Sequence, residues 1–275
     1  MNIIFDIGGT NIRAGAFSND GKLLAKRMVP ALQAYKDGIE RIALLTDELS
    51  PDGAPDKIAI VIAGVFDQPK QTILVSPNLS GWEGKPIVRD VSERLKAPVL
   101  LANDAVAAAL GEARFGAGKR SRIVAFLTIS TGIGGAKIVD GKLDANVWGF
   151  EPGNQIINMD EAQMVRNFGR GTWESYASGT AFEHRYGISP KDCVVPKIWE
   201  DFTGHLAVGI TNVIVLWSPD IVVLGGGVAK SSRKFLPFLQ QQLEELVVFP
   251  QKPSVVIGTL GDEAGLYGGM TLLSS

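Results

Sequence analysis

The sequence predicts an α/β fold of two related lobes around a cleft, each lobe built from three strands, a helix and further strands. Three observations carry that prediction. IIFDIGGTNIRAGAFSNDGKLL at 3–24 and RIVAFLTISTGIGGAKIVDGKL at 122–143 share one plan: apolar strand, glycine turn, short strand, Asp-Gly hairpin, then Gly-Lys-Leu. The copies lie far apart in the chain, which marks a duplicated lobe rather than a short solenoid repeat. KIAIVIAG at 57–64, VLLA at 99–102 and IVVLGGG at 221–227 are apolar throughout, as strands buried on both faces are. Stretches of helical period lie between these strands.

Taken in order, residues 2–7 form an apolar strand and 11–18 its alternating antiparallel partner. The Asp-Gly of NDGK at 19–22 turns the chain into a third strand at 23–29. Ile39, Ile42, Ala43 and Leu45 place a helix at 35–50, and another follows near 105–114. After the second copy, helical segments are expected near 159–168, 197–217 and 232–247, with a last strand at 255–258. DEAGLYGGMTLL at 262–273 reads as a final helix with a small-residue face. The expected division is a smaller N-terminal lobe at 1–105, joined by the C-terminal helix 262–275, and a larger C-terminal lobe at 106–261.

Composition excludes several classes. With 45 % hydrophobic and 20 % charged residues the chain is an ordinary globular protein. A net charge of −2 gives no field that favours nucleic acid or an anionic membrane. The longest strongly apolar stretch, 206–217, is too short to span a bilayer. MNIIFDIGG has neither a basic n-region nor a cleavage site and leaves no room for an N-terminal DNA-binding module, so a cytoplasmic location is expected. Cys193, the single cysteine, fits a reducing compartment. With only His184 and His205 beside it, a Cys/His metal centre is not expected.

The chemistry-bearing candidates are the glycine turns and the acids beside them. GGTN at 8–11 and STGIGG at 130–135 read either as hairpin turns or as nests of backbone N–H groups for an anion. Their recurrence at matching places in the two lobes favours phosphate binding. GAGKRS at 116–121 imitates the end of a phosphate-binding P-loop, but Arg120 stands where Ser or Thr is needed, so it reads as a loop. GGG at 225–227 lacks the GxGxxG of a dinucleotide fold. Asp6, at a strand end before a glycine turn, can hold Mg²⁺, which keeps waters and takes one or two carboxylates. Asn103-Asp104, between a strand and a helix, fits an N-cap, a proton-accepting carboxylate, or both. Taken alone, Asn78 reads as a turn residue, Glu151 as a solvated loop acid and Glu174 as a first-turn helix acid.

DIGGT at 6–10, SPNLSGW at 76–82, ND at 103–104, STGIGG at 130–135, EPGN at 151–154, ESYASG at 174–179 and LGGGV at 224–228 occur in one order. That ordered set resembles the ROK family of sugar kinases and sugar-responsive repressors, over essentially the whole chain. The resemblance implies a two-lobed ribonuclease-H-like, actin-like ATPase fold and an ATP- and Mg²⁺-dependent hexokinase. It assigns Asp104 as catalytic base and Asp6 to the metal–phosphate assembly. Gly8, Gly9, Thr10, Asn11, Thr131 and Gly132 are implied to hold phosphates, and Gly226 and Gly227 to lie beside the adenosine. Gly64, Asn78, Asn103, Asp104, Glu151, Asn154 and Glu174 are implied to bind the sugar. A glucokinase-like enzyme acting on the 6-hydroxyl is expected. A kinase for fructose or an N-acetylhexosamine, a non-catalytic sugar sensor and another actin-fold ATPase are the alternatives. A homodimer is implied by the family alone.

The chain departs from that family at several positions. Many members bind structural zinc with a histidine after E-x-G and a CxCGxxGCxE loop. Here Asn154 replaces the histidine, while Val165, Asn167 and Thr172 occupy the cysteine positions, so no zinc is expected. Phe168 and Trp173 are the candidates to pack that loop instead. Asn11 stands in place of a common lysine and Ala63 in place of a common proline.

Overall fold

The computed structural model describes residues 1–76, 78–158 and 171–274. It divides into two compact units, Met1–Gly111 with Asp262–Ser275, and Glu112–Gly261. The expected helix at 159–168 lies outside the described residues, as do Val165, Asn167 and Phe168.

The first unit contains β1 (Asn2–Ile7), β2 (Asn11–Phe17), β3 (Leu23–Pro30), α1 (Tyr35–Leu49), β4 (Lys57–Ile62), β5 (Val65–Phe66), β6 (Ile73–Val75), α2 (Ile87–Leu95), β7 (Val99–Asn103) and most of α3 (Asp104–Arg114). Its main sheet runs β3-β2-β1-β4-β7, antiparallel at the hairpins and parallel across β1, β4 and β7. β1 alternates cleanly. Ile3, Phe5 and Ile7 bury against α1 and α2 with Ile60 and Trp82, while Ile4 faces the other way, into a second cluster with Val61, Leu266 and Met270. By period 2, Asp6 shares the face of Ile4. That face is covered by the C-terminal helix of the chain, Ala264–Leu273, which gives Ile4 and Asp6 the same neighbour.

The second unit contains β8 (Ile123–Ile129), β9 (Ile133–Val139), β10 (Lys142–Leu143), α4 (Trp173–Ala177), α5 (Gly179–Tyr186), α6 (Pro196–Trp217), β11 (Ile221–Gly225), α7 (Ser232–Leu246) and β12 (Ser254–Ile257). Its sheet order, β10-β9-β8-β11-β12, repeats the plan of the first. Ala125, Leu127 and Ile129 bury against α6 and α7 beneath Trp173, Trp199, Phe202 and Phe235. Trp173 packs on Gly209 and donates from Nε1 to the His205 carbonyl (3.0 Å). No helix of the described residues is long and apolar enough to cross a membrane.

The C-terminal helix, α8 (Ala264–Leu273), belongs to the first unit, where its small-residue face has a steric purpose. A Cβ on Gly269 would stand 2.5 Å from the Ile4 side chain, and one on Gly268 would stand 1.7 Å from the Ala107 carbonyl oxygen. Gly111 approaches the Ala264 carbonyl in the same way. This packing joins the Gly111 end of α3 to α8 within the first unit. Gly268→Ala is expected to destabilise the protein by about 2–3 kcal/mol, because the obstacle is backbone and cannot rotate away. A fall in the urea midpoint at unchanged slope checks it.

Candidate active site

Parallel pairing sets the site of the first unit. Ile7, Ile62 and Asn103 share one row across β1, β4 and β7. The glycine turn after β1, Ala63-Gly64 after β4 and Asp104 after β7 therefore emerge at one edge of the sheet, the C-terminal ends of the parallel strands, where open α/β sheets bind ligands.

Asn103 is the helix cap. Its Oδ1 accepts from the N–H groups of Ala105 (3.0 Å) and Val106 (3.3 Å), the second and third positions of α3. Asp104 is thus the first helical residue and not the cap that its sequence position also allowed. Its Oδ1 accepts from the Ala105 N–H (2.9 Å). Burial raises the Asp104 carboxyl above its usual 3.8, against the backbone N–H groups of Ala105 and Asp104, which lower it. Asn103 Nδ2 donates to the Gly64 carbonyl (3.3 Å), which joins the ends of β4 and β7.

Asp6 is pushed up to about 6, first by burial and then by the charges of Asp104 and Asp262, with Arg13 opposing. The Arg13 guanidinium lies 3.6 Å from Asp6 and 3.6 Å from Asp262. Gly265 closes the other side, since a Cβ there would stand 2.9 Å from the Asp6 carboxyl carbon. Arg13 and Asp262 are absent from the sequence-predicted set. Arg13 had a local signal, because a tight hairpin through GGTN places it directly across from Asp6. Asp262 had none.

In the turn itself, Gly8 donates its N–H to the Asn11 carbonyl (2.9 Å), so Gly8 shapes the turn and its N–H is already engaged. Gly9 and Thr10 form the tip. Gly9 lies under Asn78, whose Cβ would be 2.8 Å from a Cβ on Gly9. Asn78 is exposed, and the Gln33 amide holds its carbonyl (2.9 Å). Trp82 is fully buried beneath Tyr35 and belongs to the core.

The second unit groups the remaining candidates. Ser130 N–H donates to Gly132 O (2.9 Å) and closes the turn, with Thr131 exposed at its tip. Gly226 and Gly227 are exposed and stack on the same turn, against Ile129 and the Ser130 hydroxyl. Glu174 Oε2 accepts from the Ile133 N–H (3.2 Å) and lies against Gly153. Burial raises the Glu174 carboxyl, and the Ile133 N–H opposes that rise. Glu151 and Asn154 stand exposed on one short turn, where Asn154 N–H donates to Glu151 O (3.1 Å). Thr172, at a family cysteine position, is buried with its hydroxyl 2.8 Å from that of Ser175.

The donor set around Asp6 fits a divalent cation shared with a substrate. Asp6, Asp104 and Asp262 raise the local negative charge against the single guanidinium of Arg13. Among the described residues no cluster of three or more Asp, Glu, His or Cys side chains could hold a metal alone. One carboxylate plus phosphate oxygens is how Mg²⁺ is usually held.

The family model of the ROK family matches residues 3–275. The chain belongs to the ROK family. As a ROK protein it has the actin-like ATPase fold of that family. It is 26 % identical to a ROK family glucokinase from Streptomyces griseus, solved in complex with glucose and AMPPNP, with a TM-score of 0.82 over 98 % of each chain. It is 27 % identical to a glucokinase from Streptomyces coelicolor, over 99 % of this chain and 97 % of that one. An N-acetyl-D-glucosamine kinase from Salmonella choleraesuis is 28 % identical over 96 % of each chain.

Proposed function

We propose that this ROK protein is an ATP-dependent hexose kinase that transfers the γ-phosphoryl group of ATP to a sugar hydroxyl, with the 6-hydroxyl of glucose as the preferred acceptor. The observation that carries this reading is the placement of Asp104. It stands at the strand-end edge beside the glycine turn, relieved of capping by Asn103, with its proton affinity raised by burial. A carboxylate of raised pKa suits the acceptance of a hydroxyl proton near neutral pH.

Asp104 orients the sugar hydroxyl and takes its proton. In the first unit Asn78, the Asn103 amide and the Gly64 backbone are the groups assigned to sugar hydroxyls; in the second unit Glu151, Asn154 and Glu174 are the sugar-binding candidates. The turns at Gly9-Thr10 and Thr131-Gly132 receive phosphate oxygens, and Gly226-Gly227 the adenosine. Asp6 is the residue to hold Mg²⁺ on the phosphates, where the ion supplies charge neutralisation. Phosphoryl transfer needs such positioning and neutralisation more than covalent chemistry. We further propose a cytoplasmic location and a homodimer. The buried, single Cys193 supports the first of these.

A second reading is an N-acetylhexosamine kinase. The similarity to N-acetyl-D-glucosamine kinase favours it, and Asn154 in place of the family histidine leaves the choice of sugar to experiment. An ADP-release screen across aldohexoses, fructose and N-acetylhexosamines with Mg-ATP decides. The expected result is sugar-dependent ADP release with the highest kcat/KM on glucose. A higher value on an N-acetylhexosamine selects the second reading. Absence of any sugar phosphate, or ATP hydrolysis indifferent to sugar, overturns both.

A further inference from the structure

Glu112 is buried to 1 % exposure, and the chemistry above does not use it. No cation pairs with it among the described residues. Among the described residues its carboxylate is held by backbone N–H groups. Oε2 accepts from the N–H groups of Ala117 (2.8 Å) and Thr259 (3.1 Å), and Oε1 from that of Leu260 (2.8 Å). A buried ionised carboxylate is retained only where hydrogen bonds replace its water.

Both loops are shaped to admit it. A Cβ on Gly116 would stand 1.9 Å from Oε2, and one on Gly258 would stand 2.6 Å from Oε1. GAG at 116–118, which imitates a P-loop in the sequence, is therefore a cradle for an internal carboxylate.

The position of Glu112 in the chain gives the cradle its consequence. The chain passes between the units twice, at Gly111/Glu112 and at Gly261/Asp262. Glu112 is the first residue after one passage. The segment it grips, Thr259-Leu260, lies immediately before the other. The two elements that continue from these points carry the candidate chemistry. α3 runs from Glu112 back to Asp104, about 12 Å along one helix. The segment after Leu260 leads to Asp262, in the ion-pair group of Asp6, and to Gly265, against the Asp6 carboxylate.

We propose that Glu112 is a positioning residue, whose carboxylate clamps both chain passages and thereby fixes α3 with Asp104 and the 261–265 segment with Asp6. The inference rests on the kinase reading for its effect on turnover, but not for the clamp itself.

The test is Glu112→Gln, which keeps the length of the side chain and turns one acceptor into a donor facing an N–H group. Hydrogen exchange is followed by peptide, and steady-state kinetics are measured with glucose and Mg-ATP. In the folded variant, exchange rises at 115–118 and 258–265 and at the start of α3. kcat falls about tenfold or more, while KM for both substrates stays within about twofold, as a misplaced catalytic group produces. If E112Q yields no folded protein, Gly258→Ala, which presses on the same carboxylate from the opposite loop, is read in the same way. Unchanged exchange in those segments overturns the clamp. Unchanged kcat, or a rise in KM alone, overturns the positioning role. If the wild type phosphorylates no sugar, the kinase reading fails, and the exchange result still decides the clamp.

Discussion

Asp104→Asn is expected to reduce kcat by about 10²–10⁴-fold, the range for loss of a general base, while sugar affinity changes only a few-fold. Asparagine has the same shape and can still accept the Ala105 N–H at 2.9 Å, so α3 keeps its first turn. The Asn103 cap is untouched, because its bonds run to Ala105 and Val106 and not through Asp104. What the variant loses is the ability to take a proton and one negative charge beside Asp6. Single-turnover ADP release measures the first loss, and sugar titration by calorimetry measures binding separately. A kcat within about threefold of wild type would remove Asp104 from the role of base, since that lies below the usual contribution of such a group. The second loss has its own signature. The charge of Asp104 helps to hold the Asp6 carboxyl up, so in D104N the Asp6 carboxyl titrates at lower pH.

Much of this was legible in the sequence because it is local. Strand, glycine turn and Asp-Gly hairpin recur at 3–24 and 122–143, and both copies fold to the same order of strands. The last helix and its small-residue face are legible too, and in the fold Gly268 and Gly269 meet backbone and Ile4. Ambiguity remained where two adjacent residue types could do the same work. Asn103 and Asp104 both cap helices, and only the bonds to Ala105 and Val106 separate them. α2 is absent from the sequence-predicted elements, although Ile87, Val88, Val91 and Leu95 bury one helical face. The β5–β6 hairpin and the short helices α4 and α5 carry too few residues to build a periodicity. Arg13, Asp262 and Glu112 gain their meaning from the fold. The partners of Glu112 at Thr259 and Leu260 lie at the far end of the chain, and backbone N–H groups leave no mark in a sequence.

Asp6→Asn is expected to remove turnover and at the same time to stabilise the protein at neutral pH. The sign follows from its titration. The folded state raises the Asp6 carboxyl from 3.8 to about 6, so between those values the native protein binds more proton than the unfolded chain. Stability attributable to this group therefore falls as pH rises from about 4 to about 6, and above that the penalty is complete. A displacement of that size corresponds to at most about 3 kcal/mol. Asparagine carries no charge to bury and escapes the penalty. Part of the gain is offset because Arg13 loses one of its two acids, although Asp262 remains at 3.6 Å. Thermal unfolding of wild type and D6N across pH 4–8 checks the sign. The variant should gain most above pH 6, and the two curves should converge toward pH 4. Kinetics supply the other half. Wild-type kcat/KM for Mg-ATP should fall below about pH 6, as the Asp6 carboxylate is protonated. Asp262→Asn should move that limb to lower pH by removing one repelling charge. Equal pH-dependence of stability in wild type and D6N would mean that the Asp6 carboxylate is not under charge strain. A side chain whose charge destabilises the fold is one that a bound cation would relieve, so the three acids around Arg13 accord with the metal role proposed for Asp6.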